Sequence, residues 1–272
     1  MGISIFTEKE DPMTASGVVR GWQIDEKIGA RLNPKSSYKS DLCIYVKPQL
    51  DADSDFKFEG KKQYLDIIDR FDLVPLIKTN PKLSVIACSE MDYVGLTTIL
   101  ATDSLTNKVV LIPQHHCNYD REIRTGKEIN TVGVIGTDYT FKNLPPDLEP
   151  QLSQRGIKLL KSSDFLKRQD VVNFYKSIDL QIVWRPWRKK LANPWEIVNA
   201  ASFGIPTIAY EEPYFKEMGS CYAAVSGFDE FLTWLDILRS PTTLYNNYSE
   251  LCLEKAERYH IDNIAKLYEA LI

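Results

Sequence analysis

Residues 180–210 read LQIVWRPWRKKLANPWEIVNAASFGIPTIAY, and this stretch decides how the rest of the chain is understood. Leu180-Gln181-Ile182-Val183-Trp184 is an apolar run of strand length. The next six positions hold four cations, Arg185, Arg188, Lys189 and Lys190. Asn193-Pro194-Trp195-Glu196 then carries a helix-start pattern: an amide at the cap, proline at the first helical position and glutamate three residues after the cap. Gly204-Ile205-Pro206 stops the helix, and Thr207-Ile208-Ala209-Tyr210 resumes an extended, apolar course. A strand, a helix and a second strand in that order predict a parallel βαβ unit. A helix N-terminus offers free N–H groups and partial positive charge, so cations beside it suit a phosphate or diphosphate. Open α/β sheets bind ligands at the carboxyl ends of their strands, which is where the basic loop falls. Glu196 also has a purely local reading, as the closing residue of a capping box.

On both sides of this unit the alternation continues. Thr131–Ile135 is expected to be a strand ending in Gly136-Thr137-Asp138, and 156–160 another. Helices are expected over 150–155, and after Ser163 and Asp164 with Val171, Val172, Tyr175 and Ile178 on the core face. Beyond Tyr210 come a loop, a helix over 228–238 and one long terminal helix from about 246 to 271. In the first half the expected strands lie at 3–6, 42–46, 84–88 and 108–112, with helices over 18–30, 62–70 and 92–102. The 62–70 helix rests on Tyr64, Ile67, Ile68 and Phe71 at helical spacing. A polar run after Pro113 separates the two series. The expectation is therefore two Rossmann-like α/β domains, 1–120 and 121–272, with the last helix free to pack back on the first.

At 272 residues the chain has room for two modest domains, and 44% hydrophobic with 26% charged residues is the composition of a soluble globular protein. A formal charge of -4 argues against broad electrostatic binding of nucleic acid, so none is expected as a partner. No apolar run reaches bilayer length and the N-terminus lacks signal-peptide character, which predicts a cytoplasmic protein. The five cysteines are scattered without a C-x-x-C pair, so neither a disulfide framework nor a zinc knuckle is indicated. Cys43 and Cys88 lie in apolar runs as small core residues. His115 and His116 are adjacent, and on an extended segment their side chains point to opposite sides, a poor arrangement for a metal. Either ring is a candidate base; the even alternative is local hydrogen bonding to loop backbone.

This layout resembles the glycosyltransferases of the GT-B fold. The nearest likeness is to the large retaining, family 4-like group (glycosyl transferases group 1) that includes many bacterial polysaccharide and lipopolysaccharide enzymes. Four places carry it. Residues from Asp170 to Leu180 look like the helix-then-strand that precedes the family's donor site. Residues from Glu196 to Ala209 look like its donor helix and Gly-x-Pro turn. Met13-Thr14-Ala15-Ser16-Gly17-Val18 sits at the glycine-bearing acceptor-side loop, and the run from Ile112 to Asn118 at the crossing between domains. The family often carries a second glutamate five residues before the glycine; here that position is Asn199. An amide supplies neutral hydrogen bonds in place of the carboxylate's charge-assisted one.

The resemblance implies an α/β GT-B-like architecture, two Rossmann-like domains with a cleft between them. It implies transfer of a hexose from a nucleotide-sugar donor to a glycan, lipid-linked or other hydroxyl acceptor in polysaccharide or glycoconjugate assembly. No cofactor and no metal is then expected, the nucleotide-sugar being substrate. A peripheral contact with the membrane stays open. In this reading Arg185, Lys189 and Lys190, with the helix starting at Asn193, stabilise the diphosphate. The turn Gly136-Thr137-Asp138 either approaches phosphate through backbone amides or is an ordinary βα turn, the two readings standing level. Trp195 either stacks on a ring or packs the loop onto the sheet, and Glu196 and Asn199, on one helix face, meet hydroxyl groups. Glu196, His115 and His116 are the catalytic candidates; Asp11, Ser16 and Gly17 lie on the acceptor side. Two alternatives remain at this point: an epimerase or pyruvyl transferase of similar architecture, and a non-catalytic sugar-nucleotide or glycan-binding module.

Overall fold

The computed structural model describes residues 1–7, 14–50, 56–126, 128–186, 191–241 and 243–272. Three expected site residues, Asp11, Lys189 and Lys190, lie outside the described residues. The chain divides into two compact units: the first takes in the described residues of 1–115, 189–193 and 261–272, the second those of 116–188 and 194–260.

In the first unit, β1 (Ile3–Thr7) leads to α1 (Ala15–Gly17), a π-helical turn (Val18–Trp22) and α2 (Gln23–Ile28). There follow β2 (Arg31–Leu32), β3 (Leu42–Val46), β4 (Lys62–Asp66), α3 (Val74–Thr79), β5 (Leu83–Ala87), α4 (Glu90–Thr102) and β6 (Val109–Leu111). The strands form one parallel sheet in the order β2-β1-β3-β4-β5-β6. Every residue of β3 is buried, the pattern of a strand covered on both faces.

The same burial explains where the sequence misleads. Residues 62–66 are strand β4, not the first half of a helix. Tyr64, Leu65 and Asp66 are all buried because β4 lies between β3 and β5, so no alternation is left, and the apolar residues that follow imitate a helical spacing.

The second unit runs β7 (Thr131–Ile135), α5 (Asp138–Lys142), α6 (Leu148–Gln154), β8 (Lys158–Ser162), α7 (Arg168–Lys176), β9 (Leu180–Val183) and α8 (Trp195–Ser202). It continues with β10 (Thr207–Tyr210), a 3-10 turn (Pro213–Met218), β11 (Tyr222–Val225), α9 (Phe228–Arg239) and α10 (Leu244–Glu257). Its parallel sheet has the order β11-β10-β9-β7-β8. Strand β11 falls where a loop is expected after Tyr210; it is only four residues long and carries no turn or periodicity signal of its own. The two sheet faces carry separate cores. Val132, Val134, Ile182 and Ile208 pack with Phe231 and Leu235 of α9; Val183 and Ala209 pack with Ile197 and Val198 of α8. Each buried Val, Ile, Leu or Phe side chain among these contributes roughly 1.5–3 kcal/mol relative to exposure. A Cβ on Gly133 would stand 2.5 Å from Ile178, so glycine in β7 lets the segment after α7 lie close on the sheet.

The long terminal helix expected over 246–271 is two helices, α10 and α11 (Ile261–Glu269), and the chain passes from the second unit to the first between them. No proline or glycine marks the break. His260 is buried there, its Nε2 3.1 Å from the carbonyl of Tyr119, a tertiary contact that local sequence does not announce. In the first unit α11 packs on α2, with an ion pair of 2.5 Å between Lys27 and Asp262.

The first unit also holds a fully buried ion pair. Arg20, in the π-helical turn, donates from Nε to Asp66 at 2.7 Å and from Nη1 to the carbonyls of Ile112 and Pro113 at 2.7 and 2.8 Å. Its guanidinium carbon stands 5.5 Å from the centre of the Tyr268 ring of α11. Burial pushes the Asp66 carboxyl above the usual carboxylate range, and the charge of Arg20 opposes that shift.

Candidate functional site

In the second unit the order of strands reverses between β7 and β9: from β7 the chain first adds β8 on one side, then β9, β10 and β11 on the other. Such a switch point leaves a crevice at the carboxyl ends of the two strands. β7 ends there in Ile135, followed by Gly136, Thr137 and Asp138 at the start of α5. β9 ends in Val183, followed by Trp184 and Arg185, and α8 begins at the same edge. The structure thus brings Gly136, Thr137, Asp138, Arg185, Trp195 and Glu196 to one edge of one sheet.

At the β7 end, Thr137 and Asp138 are exposed. The amide of Gly136 donates to the carbonyl of Ser162 at 3.0 Å, so its N–H is already used. A Cβ on Gly136 would come within 2.5 Å of Thr140 Oγ1; the turn needs glycine for its own packing against α5.

At the β9 end, Trp184 is a packing residue, with ring centres 5.3 Å from Tyr210 and 6.3 Å from Phe231. Helix α8 starts one residue later than the capping box requires: Pro194 stands at the cap and Trp195 is the first helical residue. Proline has no side-chain acceptor for the first turn, and the Glu196 carboxylate faces Arg185 instead, 3.4 Å away. Asn193 and Trp195 are half-buried. Arg185 itself, with a side chain 10% exposed, lies 3.2 Å from Glu212 and 4.9 Å from the centre of the Phe215 ring. Glu212, 5% exposed, follows β10 and was not singled out from the sequence. Its signal was available: a Glu-Glu-Pro run directly after a strand whose carboxyl end belongs to the site.

Asn199 is turned inward. It is 1% exposed, accepts from the amide of Cys117 at 2.8 Å and donates to the carbonyl of Trp195 at 2.9 Å. Its amide ties the segment after His116 to α8. The two adjacent histidines belong to different units. His115, 1% exposed, has Nε2 2.9 Å from the carbonyl of Val19. His116, 3% exposed, lies edge-on to His260 with centres 5.3 Å apart. In the first unit, Thr14 caps α1 by accepting from the amide of Gly17 at 3.1 Å, and the Ser16 hydroxyl lies 3.5 Å from that of Thr14. Among the described residues no group of three or more His, Cys, Asp and Glu side chains is arranged to hold a metal ion. All five cysteines are free and buried. No described helix is long and apolar enough to cross a membrane.

No protein-family model matches the sequence, and no curated protein matches it. Solved structures do match the fold. Across the whole chain, and 99% of the other, the structure is similar to Anabaena HepE in complex with UDP, with a TM-score of 0.64 at 12% identity. This chain has the GT-B fold. The complex of HepE with UDP-glucose gives a TM-score of 0.62 over the same share. A glycosyltransferase from Rickettsia africae matches over 99% of this chain and 97% of that one, with a TM-score of 0.56 and 12% identity. The GtfA/B complex matches 86% of this chain at a TM-score of 0.54 and 10% identity; there this chain spans only 57% of the other's length.

Proposed function

We propose that the protein is a glycosyltransferase that takes a sugar from a nucleotide-sugar donor and delivers it to a hydroxyl acceptor in glycan or glycoconjugate assembly. The observation that carries this reading is the switch point of the second unit, where Arg185, Glu196 and the N-terminus of α8 stand at the carboxyl ends of adjacent strands. The HepE complexes with UDP and UDP-glucose, whose fold this chain shares, support a nucleoside diphosphate as the donor's head.

In the reaction the acceptor oxygen bonds to the anomeric carbon while the bond from that carbon to the diphosphate oxygen breaks. The acceptor's proton passes to a base, and the diphosphate leaves with the electron pair. Preorganised N–H dipoles and cations stabilise that leaving charge. The α8 N-terminus, Lys189 and Lys190 are assigned this role, and no metal is assigned one. Glu196 is the residue assigned to the reacting sugar. The acceptor side is assigned to Asp11, Ser16 and Gly17 of the first unit, with a glycan or lipid-linked alcohol as acceptor and the cytoplasm as its place of work.

The deciding experiment is a thermal-shift panel of UDP-, GDP-, ADP-, CMP- and dTDP-sugars, followed by donor hydrolysis with chelator present. One nucleotide class should raise the melting temperature, and turnover should survive chelation. Stabilisation without turnover by any acceptor would make the chain a binding module, and no stabilisation at all would end the donor reading.

A further inference from the structure

Arg185 was expected at the diphosphate, yet its surroundings are those of a different contact. Its guanidinium lies against the fully buried ring of Phe215, with Glu196 at 3.4 Å and Glu212 at 3.2 Å. Face and edges are thereby fixed. Two carboxylates oppose its single charge, which weakens the positive field it presents to a phosphate. Part of its hydrogen-bonding capacity is nevertheless unspent among the described residues. Nε and Nη2 make no hydrogen bond among the described residues, although the side chain is nine-tenths buried. The guanidinium has five N–H groups, one on Nε and two on each terminal nitrogen; with Glu212 standing at Nε, about two, those on Nη2, remain for an acceptor. Buried donors left unmade are costly, so the site gains when an oxygen arrives.

We infer that Arg185 and Glu212 belong with Glu196 to the subsite for the donor's sugar ring, and that the diphosphate is held elsewhere on the same edge. This rests on the donor reading above. The chemistry fits a polyol: each sugar hydroxyl donates one proton and accepts others. Neighbouring hydroxyls can donate to the carboxylate of Glu196 while accepting from the unspent Nη2 of Arg185. A phosphate has acceptors only, and carboxylates beside it repel. Glu212, from the end of β10, keeps the guanidinium against Phe215 and is a positioning residue for that nitrogen.

Paired probes separate the two contacts. Calorimetric titration of the full chain with UDP and UDP-glucose, and with GDP and GDP-mannose, compares a bare diphosphate with its sugar-bearing form. The wild-type chain should bind the sugar-bearing form of one pair more tightly. Arg185→Met should leave the affinity for the bare diphosphate within twofold and lower that for the sugar nucleotide at least tenfold. Glu212→Gln, which keeps shape and most packing, should show the same split, and Arg185→Lys should recover part of the loss. Equal losses for both members of the pair, or no loss for either, would overturn the inference while leaving the donor reading in place. Failure of the wild-type chain to bind any of the four would overturn the donor reading itself, and this inference with it.

Discussion

Two arginines sit at the carboxyl edges of two parallel sheets, each beside carboxylate, and they are not equivalent. Arg20 follows β1 through α1, is wholly buried, and spends Nε on Asp66 at 2.7 Å and Nη1 on two backbone carbonyls, while its Nη2 makes no hydrogen bond among the described residues. Arg185 follows β9, is nine-tenths buried, and meets Glu196 and Glu212 as charges at 3.2–3.4 Å without hydrogen bonds from Nε or Nη2. The carbonyls of Ile112 and Pro113 are the end of the sheet that Arg20 fixes, so its bonds are architectural. Arg185 makes no hydrogen bond from Nε among the described residues, the nitrogen through which Arg20 holds Asp66. A pair of charges alone does not distinguish the two. The hydrogen bonds do.

The largest effect that tests this contrast lies in the first unit. Asp66→Asn should cost about 3–5 kcal/mol in urea unfolding, because it leaves the Arg20 charge buried without its counter-charge. A double variant, Arg20→Met with Asp66→Leu, should recover most of that loss, since apolar side chains of similar volume remove both desolvation costs. A single Asp66→Asn variant as stable as the parent would dissolve the distinction drawn between the two arginines.

A smaller effect is expected at Asn199, which the family resemblance puts at the donor and the structure puts in the interior. Asn199→Ala leaves the amide of Cys117 unpaired in a buried position. The expected loss is about 1–3 kcal/mol in thermal or urea unfolding, with nucleotide affinity kept within twofold. Loss of affinity at unchanged stability would return Asn199 to the donor. This residue then belongs with Arg20 on the architectural side of the comparison, although it stands one helical turn from Glu196.

How far the sequence carries can be seen in these same residues. The βαβ unit around 180–210 is legible because its strand, basic loop, helix and glycine stop each have a local signature, and the structure has β9, α8 and β10 there. Thr131–Ile135 is legible for the same reason. Strand β4 is not, because burial on both faces erases the alternation that would mark it. The break before α11 is not, because it depends on where the buried ring of His260 lies rather than on any helix-breaking residue. At the site, chain-local features put Arg185 and Glu196 side by side in sequence. The partner that makes Arg185 unusual, Glu212, arrives from the next strand and could be found only through sheet order. Asn199 shows the converse: helical spacing gives the face it shares with Glu196 but not the backbone amide that occupies it.

The smallest effect on stability, and the sharpest on function, is expected at Glu196. The capping-box reading of this residue has lost its geometry, since Pro194 occupies the cap and the carboxylate lies toward Arg185. Glu196→Gln keeps the size of the side chain, removes the charge and turns one accepting oxygen into a donating amide nitrogen. Its stability should stay within about 0.5 kcal/mol of the parent, the usual range for a partly exposed polar substitution. Turnover at saturating donor should nevertheless fall tenfold or more, about 1.4 kcal/mol of transition-state stabilisation, because a carboxylate opposite positive charge growing at the anomeric carbon is worth more than an amide. Half-saturating donor concentration should change less than turnover, as expected for a contact that strengthens as the bond to the diphosphate breaks. A parallel loss of stability would instead mark the Arg185 pair as a support of the same kind as Arg20 and Asp66. Unchanged turnover would leave the cluster of Arg185, Glu196 and Glu212 as sheet-edge packing, and the donor would have to be sought at another edge of the fold.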